Sequence, residues 1–299
     1  MGMLRFNYRS QALGRYVDIS VVYPTDELSY FDPLTSDKQE YGRNTAHGKA
    51  LYRPGMKFQT VYLLHGGGDD DSLTYRYTNA ERYAQRNRVM LVTPNIANSF
   101  GIDTAYGVAY QTFLSQELPT VIRALFASSE KREDNFIMGY AMGGNVALGT
   151  ALMHPELYAA CVDISGGIGM TMSTETMVQE LDSDHFRNKF RLYCTSFGPS
   201  ETFPGSPFDL AAQARKHPAR GDSACRFFIA CGSEEFIRSR VEEDVRLLRQ
   251  AGYQVDYELA QGYDHDFRMW DTYIQKALDE FLPLKRQVIY PDEFQEQVR

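Results

Sequence analysis

The chain of 299 residues lacks both a long hydrophobic run and any surplus of positive charge. No stretch of about 18 uninterrupted apolar residues occurs, so the sequence predicts no membrane-spanning helix. The formal net charge is −8 and the sequence pI is about 5.3. An acidic chain without a Lys/Arg run offers no basic face to nucleic acid and is not attracted to an anionic membrane surface. Neither nucleic acid nor a membrane is therefore an expected partner.

The sequence also lacks the patterns of metal, disulfide and nucleotide sites. Its four cysteines form no C-x-x-C pair, and neither they nor the six histidines show zinc-ligand spacing. No G-x-G-x-x-G motif follows a predicted strand, so we expect neither a metal nor a cofactor. The N-terminus lacks the apolar segment of a signal peptide, which predicts a cytoplasmic location. A native leader replaced by the first residues, MGM, is an alternative that stays open.

The sequence does contain a regular alternation of short apolar segments and amphipathic helical segments from residue 57 to residue 282. This alternation predicts an α/β fold with a mostly parallel sheet and helices on both faces. Residues 14–24 alternate apolar and polar side chains, which predicts an antiparallel strand at the edge of the sheet. We expect one domain over 1–299, with a cap inserted at about 168–220 above the carboxyl ends of the strands.

The most informative segment is the turn Gly139-Tyr140-Ala141-Met142-Gly143, which follows a buried strand and opens a helix. It has the frame G-x-S-x-G of a nucleophile elbow, in which small residues flank a strained residue that points into an active site. Alanine occupies the serine position. The competing interpretation is that small residues only let the strand and helix pack closely, but further motifs follow in the order that a hydrolase requires.

The first of these motifs is His65-Gly66-Gly67-Gly68, which closes an earlier buried strand. Glycines let a ligand approach the backbone, so an N–H group here can face the negative oxygen that develops on a reacting ester. We predict an oxyanion hole formed by the N–H groups of Gly67 and Met142, with Gly68 as the alternative donor. His65 is predicted to shape the loop. A simple glycine turn is the competing explanation.

A carboxylate and a histidine then follow in the chain order typical of α/β hydrolases. His265 comes after the last predicted strand and is the predicted base, which takes the proton of a serine and passes it to the leaving alcohol. Glu235 is the predicted acid that orients the imidazole. Glu234 is the alternative acid and Asp163 a more distant one. The competing interpretation of His265 is an ordinary surface histidine.

Several segments together resemble the tributyrin-esterase and esterase-D-like group of α/β hydrolases: YLLHGGG, TPNIANS, GYAMGG, SGG and HDFRMW. Relatives of that group are feruloyl and acetylxylan esterases, S-formylglutathione hydrolases and mycolyltransferases, and the resemblance covers about residues 5–283. It implies the α/β-hydrolase fold and a serine carboxylesterase that cleaves short-chain, acetyl or hydroxycinnamoyl esters through an acyl-enzyme. The family's serine falls on Ala141, its histidine on His265 and its acid, usually Asp, on Glu235.

The alanine at position 141 is the decisive departure from the family, because its side chain has no nucleophilic atom. The groups that would serve a serine are all retained. We therefore favour a deliberate Ser-to-Ala substitution, which would leave an inactive enzyme whose binding site is intact. A natural pseudo-esterase that binds acylated ligands and an acyltransferase on the same fold are the alternatives.

The predicted ligand is a small-molecule ester. The 20 Tyr and 18 Phe of the chain would suit a carbohydrate-linked or aromatic ester as one option. Most of these aromatic side chains are expected to pack in the core. Four residues near strand ends are predicted to line the site: Tyr140, Asn79, Asn98 and Asp103. A homo-oligomer stays open, because only analogy with relatives favours it.

Overall fold

The computed structural model describes residues 1–25, 52–104, 107–167, 197, 200–216 and 225–292. Within these ranges the strands are β1 Gly2–Arg9, β2 Tyr16–Tyr23, β3 Thr60–Leu64, β4 Met90–Pro94, β5 Asn135–Tyr140, β6 Ala160–Ile164, β7 Arg226–Gly232 and β8 Val255–Ala260. They form one sheet in the order β1-β2-β4-β3-β5-β6-β7-β8. β2 pairs antiparallel with β1 and β4, and the strands from β4 to β8 run parallel. The predicted, mostly parallel α/β sheet is confirmed.

The helices of the described ranges are α1 Leu73–Tyr77, α2 Ala80–Asn87, α3, α4 Met142–Met153, α5 Leu210–Lys216, α6 Arg238–Gln250 and α7 Phe267–Lys276. Helix α3 is built from Tyr110–Thr112, a π-helical turn Phe113–Glu117 and Leu118–Leu125. A second π-helical turn, Ala277–Phe281, extends α7. None of the described helices is both long and apolar enough to cross a membrane.

The core lies in two layers, one on each face of the sheet. Successive residues of β3 show this division, because Tyr62 and Leu64 belong to one buried cluster while Val61 and Leu63 belong to the other. The first cluster includes residues of α3, α4, α5 and α6, and the second includes residues of α2 and α7. Strands that are covered on both faces read as continuous apolar runs, which explains why the central strands were predictable.

The edge of the sheet differs from the sequence-based expectation. The prediction that residues 14–24 form an edge strand is wrong, because β2 lies between β1 and β4. Its polar side chains meet polar partners: Asp18 accepts a hydrogen bond from Asn7 at 2.8 Å, and the Ser20 hydroxyl donates to Asp71 at 2.7 Å. The apolar and polar alternation therefore reflects polar pairing beside the sheet as well as exposure to solvent.

The predicted cap at 168–220 lies largely outside the described residues. Its described parts are residue 197, a 3-10 turn Ser200–Thr202 and helix α5. Leu210 of α5 is buried and packs close to Gly149 of α4. The cap and the single domain over 1–299 remain predictions.

Helix α4 packs very closely behind β3 and β5. A Cβ atom added to Gly139 would lie 2.1 Å from the carbonyl oxygen of Gly143, and one added to Gly143 would lie 2.2 Å from that of Leu64. Residues from Met142 to Leu152 are all buried. The two glycines therefore set the distance between the strand and the helix, and with it the sharpness of the turn at residue 141.

Replacing Gly143 by alanine should destabilise the fold, because the new methyl group meets backbone atoms that cannot move aside. We expect Gly143→Ala to cost roughly 1–3 kcal/mol or more of unfolding free energy, despite the higher helix propensity of alanine. Thermal and urea unfolding measure the change. Gly149→Ala in the same helix is the matched control, because its Cβ would meet only the flexible end of Leu210 at 3.0 Å. Equal losses for the two variants would contradict this explanation.

Candidate active site

The candidate site lies at the carboxyl ends of four adjacent parallel strands, β5 to β8. Their backbone hydrogen bonds continue past the strand ends and so hold three successive turns side by side. The bonds run from Ala141 N–H to the Ile164 oxygen at 2.9 Å, from Ser165 N–H to the Ala230 oxygen at 2.8 Å, and from Ser233 N–H to the Ala260 oxygen at 2.8 Å. Carboxyl ends of parallel strands are where open α/β sheets place their ligand sites.

Ala141 occupies a strained turn between β5 and α4. Its backbone has φ 51° and ψ −127°, a conformation that residues other than glycine rarely adopt. The side chain is only 3% exposed. A Cβ added to Gly66 of the neighbouring loop would lie 3.3 Å from the Ala141 methyl group. The turn thus has the strained strand-to-helix geometry of a nucleophile elbow, and this geometry is present with alanine at its tip.

His265 and Glu235 form a hydrogen-bonded pair on the turns that follow β8 and β7, at the same edge of the sheet as the elbow. The His265 Nδ1 atom lies 2.9 Å from Glu235 Oε2, and the carboxylate side chain is 0% exposed while the imidazole is 16% exposed. The other carboxylate oxygen accepts hydrogen bonds from the Ser165 hydroxyl and from Gly232 N–H, each at 2.7 Å. A carboxylate only accepts, so Nδ1 carries the proton and Nε2 is left for proton transfer.

The other two candidate acids do not contact the imidazole. Glu234 is exposed, and its carboxylate accepts a hydrogen bond from the Ser233 hydroxyl at 2.8 Å. Asp163 is buried on β6, and one of its carboxylate oxygens has no hydrogen-bond partner. Burial, with a smaller contribution from the nearby charge of Glu235, raises the pKa of Asp163 to about 7, although a hydrogen bond from the Gly166 backbone opposes the rise. Of the three, Glu235 alone bonds to His265 within the described ranges.

The glycine loop after β3 lies directly against the start of α4. A Cβ added to Gly67 would lie 4.0 Å from the Met142 Cβ and 3.7 Å from Asn98 Oδ1. Neither Gly67 N–H nor Met142 N–H donates a hydrogen bond to another described residue. Gly68 N–H, by contrast, donates to Asn98 Oδ1 at 2.6 Å. The geometry therefore leaves the two preferred donors available and occupies the alternative one.

His65 holds this loop in place as a neutral side chain. Its Nε2 accepts a hydrogen bond from Ile96 N–H at 2.9 Å, so its Nδ1 carries the proton and donates to the Gly66 carbonyl at 2.8 Å. Burial lowers the pKa of His65. Both ring nitrogens are engaged, which fits the expectation that this histidine shapes the loop.

Tyr140 lies beneath the elbow and not in an open pocket. Its side chain is completely buried, and its ring stacks on Trp270 with centroids 4.8 Å apart. The hydroxyl donates to Asp69 at 3.1 Å. The sequence led us to expect contact with substrate, but Tyr140 instead supports the elbow from inside the core, because the last residue of β5 points to the face that α7 covers.

The three remaining predicted binding residues have different surroundings. Asn98 lies beside the glycine loop, as described above. The Asn79 N–H donates to Asp271 of α7 at 2.7 Å, which joins α2 to α7. Asp103 accepts hydrogen bonds from the N–H and the hydroxyl of Thr112, at 2.9 and 2.7 Å. Neither Asn79 nor Asp103 forms a hydrogen bond with the elbow, the glycine loop or His265 within the described ranges.

Sequence reasoning missed the groups that hold the acid and surround the base. Ser165 has a positive φ of 59°, and the segment SGG after a buried strand was the available signal for it. Trp270 and Phe236 both contact the His265 ring, with centroids 5.1 and 5.3 Å from it. No group of three His, Cys, Asp or Glu residues that could hold a metal ion occurs among the described residues.

Comparison with known proteins identifies the family. The model of the family described as "Putative esterase" matches residues 44–283, well over half of the chain. The chain belongs to this esterase family. Its α/β-hydrolase fold and its resemblance to the esterase-D-like group are thereby confirmed.

Individual known proteins align over nearly the whole chain. An acetyl esterase of Caldicellulosiruptor saccharolyticus is 24% identical, and the alignment covers 93% of this chain and 97% of that protein. The crystal structure of an S-formylglutathione hydrolase, FrmB, from Staphylococcus aureus is 24% identical with a TM-score of 0.69, covering 93% and 98%. A serine-to-alanine mutant of the feruloyl esterase module from Clostridium thermocellum, complexed with sinapinate, is 16% identical with a TM-score of 0.61, covering 95% and 89%.

The buried carboxyl of Asp163 should make the stability of this esterase depend on pH. Its folded-state pKa of about 7 exceeds the ordinary value of 3.8, so the folded state binds the proton more tightly than the unfolded state. Its contribution to stability therefore falls as pH rises from about 4 to about 7 and stays constant above. We expect Asp163→Asn to gain stability relative to the parent chain over that pH range.

Thermal unfolding of both chains from pH 4 to pH 9 measures this difference. Glu234→Gln, which removes the charge of an exposed carboxyl on the turn after β7, is the matched control and should follow the parent chain. An Asp163→Asn variant whose difference from the parent does not change with pH would contradict a protonated Asp163.

Proposed function

We propose that this chain has the active-site frame of a serine carboxylesterase that forms an acyl-enzyme, and that Ala141 leaves it able to bind esters but unable to cleave them. One observation carries the proposal. A histidine that is hydrogen bonded to a buried carboxylate at 2.9 Å lies at the same carboxyl edge of the sheet as a strained elbow whose tip has no nucleophile. The carboxylate side chain is 0% exposed and accepts three hydrogen bonds, an arrangement that serves to hold and orient an imidazole.

A serine at position 141 would complete a catalytic triad with His265 and Glu235 and so allow ester hydrolysis. His265 Nε2 takes the hydroxyl proton as the serine oxygen bonds to the ester carbonyl carbon, and Glu235 stabilises the imidazolium that results. The carbonyl oxygen gains the negative charge and accepts hydrogen bonds from Gly67 N–H and Met142 N–H. When the carbon–oxygen bond to the alcohol breaks, His265 returns the proton to the departing alcohol. Water then cleaves the acyl-enzyme by the same steps.

With alanine at position 141, the first bond cannot form, so the other groups have no covalent intermediate to stabilise. The binding surface differs from that of the serine form by one oxygen atom. The serine-to-alanine mutant of the Clostridium thermocellum module, which is complexed with sinapinate, supports the idea that such a frame still holds a ligand. The acetyl esterase relative supports short acyl groups, acetyl first, as the substrates to test.

Ala141→Ser should convert the chain into an active esterase. In a well-studied protease, loss of the triad serine costs about 10⁶ in kcat, so we expect kcat/KM for p-nitrophenyl acetate to rise by roughly 10³–10⁶-fold. Release of p-nitrophenol measures the rate, and a burst equal to the enzyme concentration would report the acyl-enzyme. Ala141→Gly, which changes the same position without adding a nucleophile, is the matched control and should stay inactive.

The second step of this test separates the triad from an isolated serine. Glu235→Gln or His265→Gln in the Ala141→Ser background should remove most of the gain, since triad members act as a unit. The alanine itself favours one competing function, a pseudo-esterase that only binds acylated ligands. That function predicts ester binding by both forms and no hydrolysis by the serine form, a result that would overturn the esterase proposal.

A further inference from the structure

One aromatic ring beside the candidate base has no role in the steps above. Phe236 directly follows the acid Glu235, and its side chain is 73% exposed. Its ring centroid lies 5.3 Å from that of His265, with the two planes 62° apart. Single exposed apolar side chains are common, but this one contacts the group that would transfer the proton.

The turn that carries Phe236 is fixed on both sides. Glu235 points inward to His265, and Ile237 is buried in the core. Arg238 N–H donates to the Glu235 carbonyl at 3.2 Å, which closes the turn around the phenylalanine. Phe236 must therefore point outward, and packing of the core does not require a large apolar side chain there.

The second aromatic neighbour of the imidazole is buried, so a ligand cannot pack against its ring face. Trp270 lies 5.1 Å from His265 between ring centroids, but it is 8% exposed and packs against Tyr140 and Phe267. The two aromatic contacts of His265 thus differ in character. One is part of the core, and the other presents an open ring face to the solvent.

The proposed reaction places the alcohol part of the substrate next to His265. His265 Nδ1 is bonded to Glu235, so Nε2 must deliver the proton to the departing alcohol. The alcohol oxygen then lies within hydrogen-bond reach of the imidazole. The atoms attached to that oxygen must lie among the groups that flank the ring, and of the two aromatic neighbours in the described ranges Phe236 is the exposed one.

Resting on the proposed function, we infer that Phe236 is a specificity residue for the alcohol part of the ester. Its ring packs against a flat ring of the alcohol, either an aryl group or the apolar face of a pyranose. Aromatic contacts of this kind are strong enough to change relative affinity by about two- to tenfold. The acyl part, which lies beyond position 141, does not depend on this contact.

Two isomeric esters test the inference directly on the chain with Ala141. Benzyl propanoate carries its ring on the alcohol side, and ethyl phenylacetate carries the same ring on the acyl side. The single tryptophan of the sequence, Trp270, contacts His265, so its fluorescence reports binding of either ester without turnover. We expect Phe236→Ala to lower the preference for benzyl propanoate over ethyl phenylacetate, expressed as a ratio of Kd values, by about two- to tenfold.

Matched variants make the result specific to the ring. Phe236→Leu keeps apolar bulk and should lose the preference, whereas Phe236→Tyr should retain it. Leu125→Ala removes another exposed apolar side chain, 64% exposed at the end of α3, and should leave the ratio unchanged. Thermal unfolding of each variant shows that it is folded.

The ratio of Kd values shows whether Phe236 contacts the alcohol part of the ester or acts only through His265. Equal weakening of both isomers, or an unchanged ratio in Phe236→Ala, would overturn the inference, because a residue that only positions His265 affects both esters alike. A propanoylated methyl xyloside in a third titration shows whether the ring that Phe236 favours is aryl, pyranose or both. Because binding is measured without catalysis, failure of Ala141→Ser to hydrolyse esters would count against the proposed function and leave this ratio measurable.

Discussion

The candidate site depends on one buried carboxylate and the three hydrogen-bond donors around it. Glu235 accepts hydrogen bonds from His265, Ser165 and Gly232, and its side chain is 0% exposed. Burying an ionised carboxylate without such partners would cost several kcal/mol. The three donors therefore fix the carboxylate, the carboxylate fixes the imidazole, and the imidazole can face only one direction. Ser165, directly after β6, donates to the carboxylate from a backbone with a positive φ, so local strain at the end of β6 accompanies the orientation of a base on the loop after β8.

Close backbone packing between the glycines of α4 and the loop after β3 forms the opposite side of the site. The glycines of α4 bring the elbow against β3, and the loop after β3 then lies beside the first N–H groups of α4. The first of them, Met142 N–H, has no partner within the helix, as is usual at a helix N-terminus. The neutral His65 fixes the loop by accepting a hydrogen bond from Ile96 N–H, and Asn98 fixes it by accepting one from Gly68 N–H. Position 141 is thus surrounded by groups that suit a reacting ester, although the residue there is inert.

Much of this could be predicted from the sequence, because parallel sheets impose an order. Each central strand is a buried apolar run, and the turn after it necessarily lies at the carboxyl edge, so Ala141, His265 and the pair Glu234 and Glu235 could be named from their spacing and chain order. Features that depend on register or on the direction of a side chain could not. Glu235 and Glu234 are adjacent, and the turn at Gly232 decides which one is buried. Ser165 follows β6 but donates its hydrogen bond to Glu235 on the turn after the neighbouring strand, β7. Tyr140 was expected to line the site, but the pleat of β5 turns it into the core. The edge strand β1 was missed because its side chains are mostly exposed or half-buried.

The central claim is that position 141, the amide groups of Gly67 and Met142, and the imidazole of His265 form one reaction site. The most direct test is the crystal structure of the Ala141→Ser chain after reaction with an alkyl fluorophosphonate. The account predicts a single adduct on the introduced serine, with the phosphoryl oxygen hydrogen bonded to the N–H groups of Gly67 and Met142 and His265 still bonded to Glu235. An unmodified serine, or an adduct whose phosphoryl oxygen points away from these two amides, would contradict it.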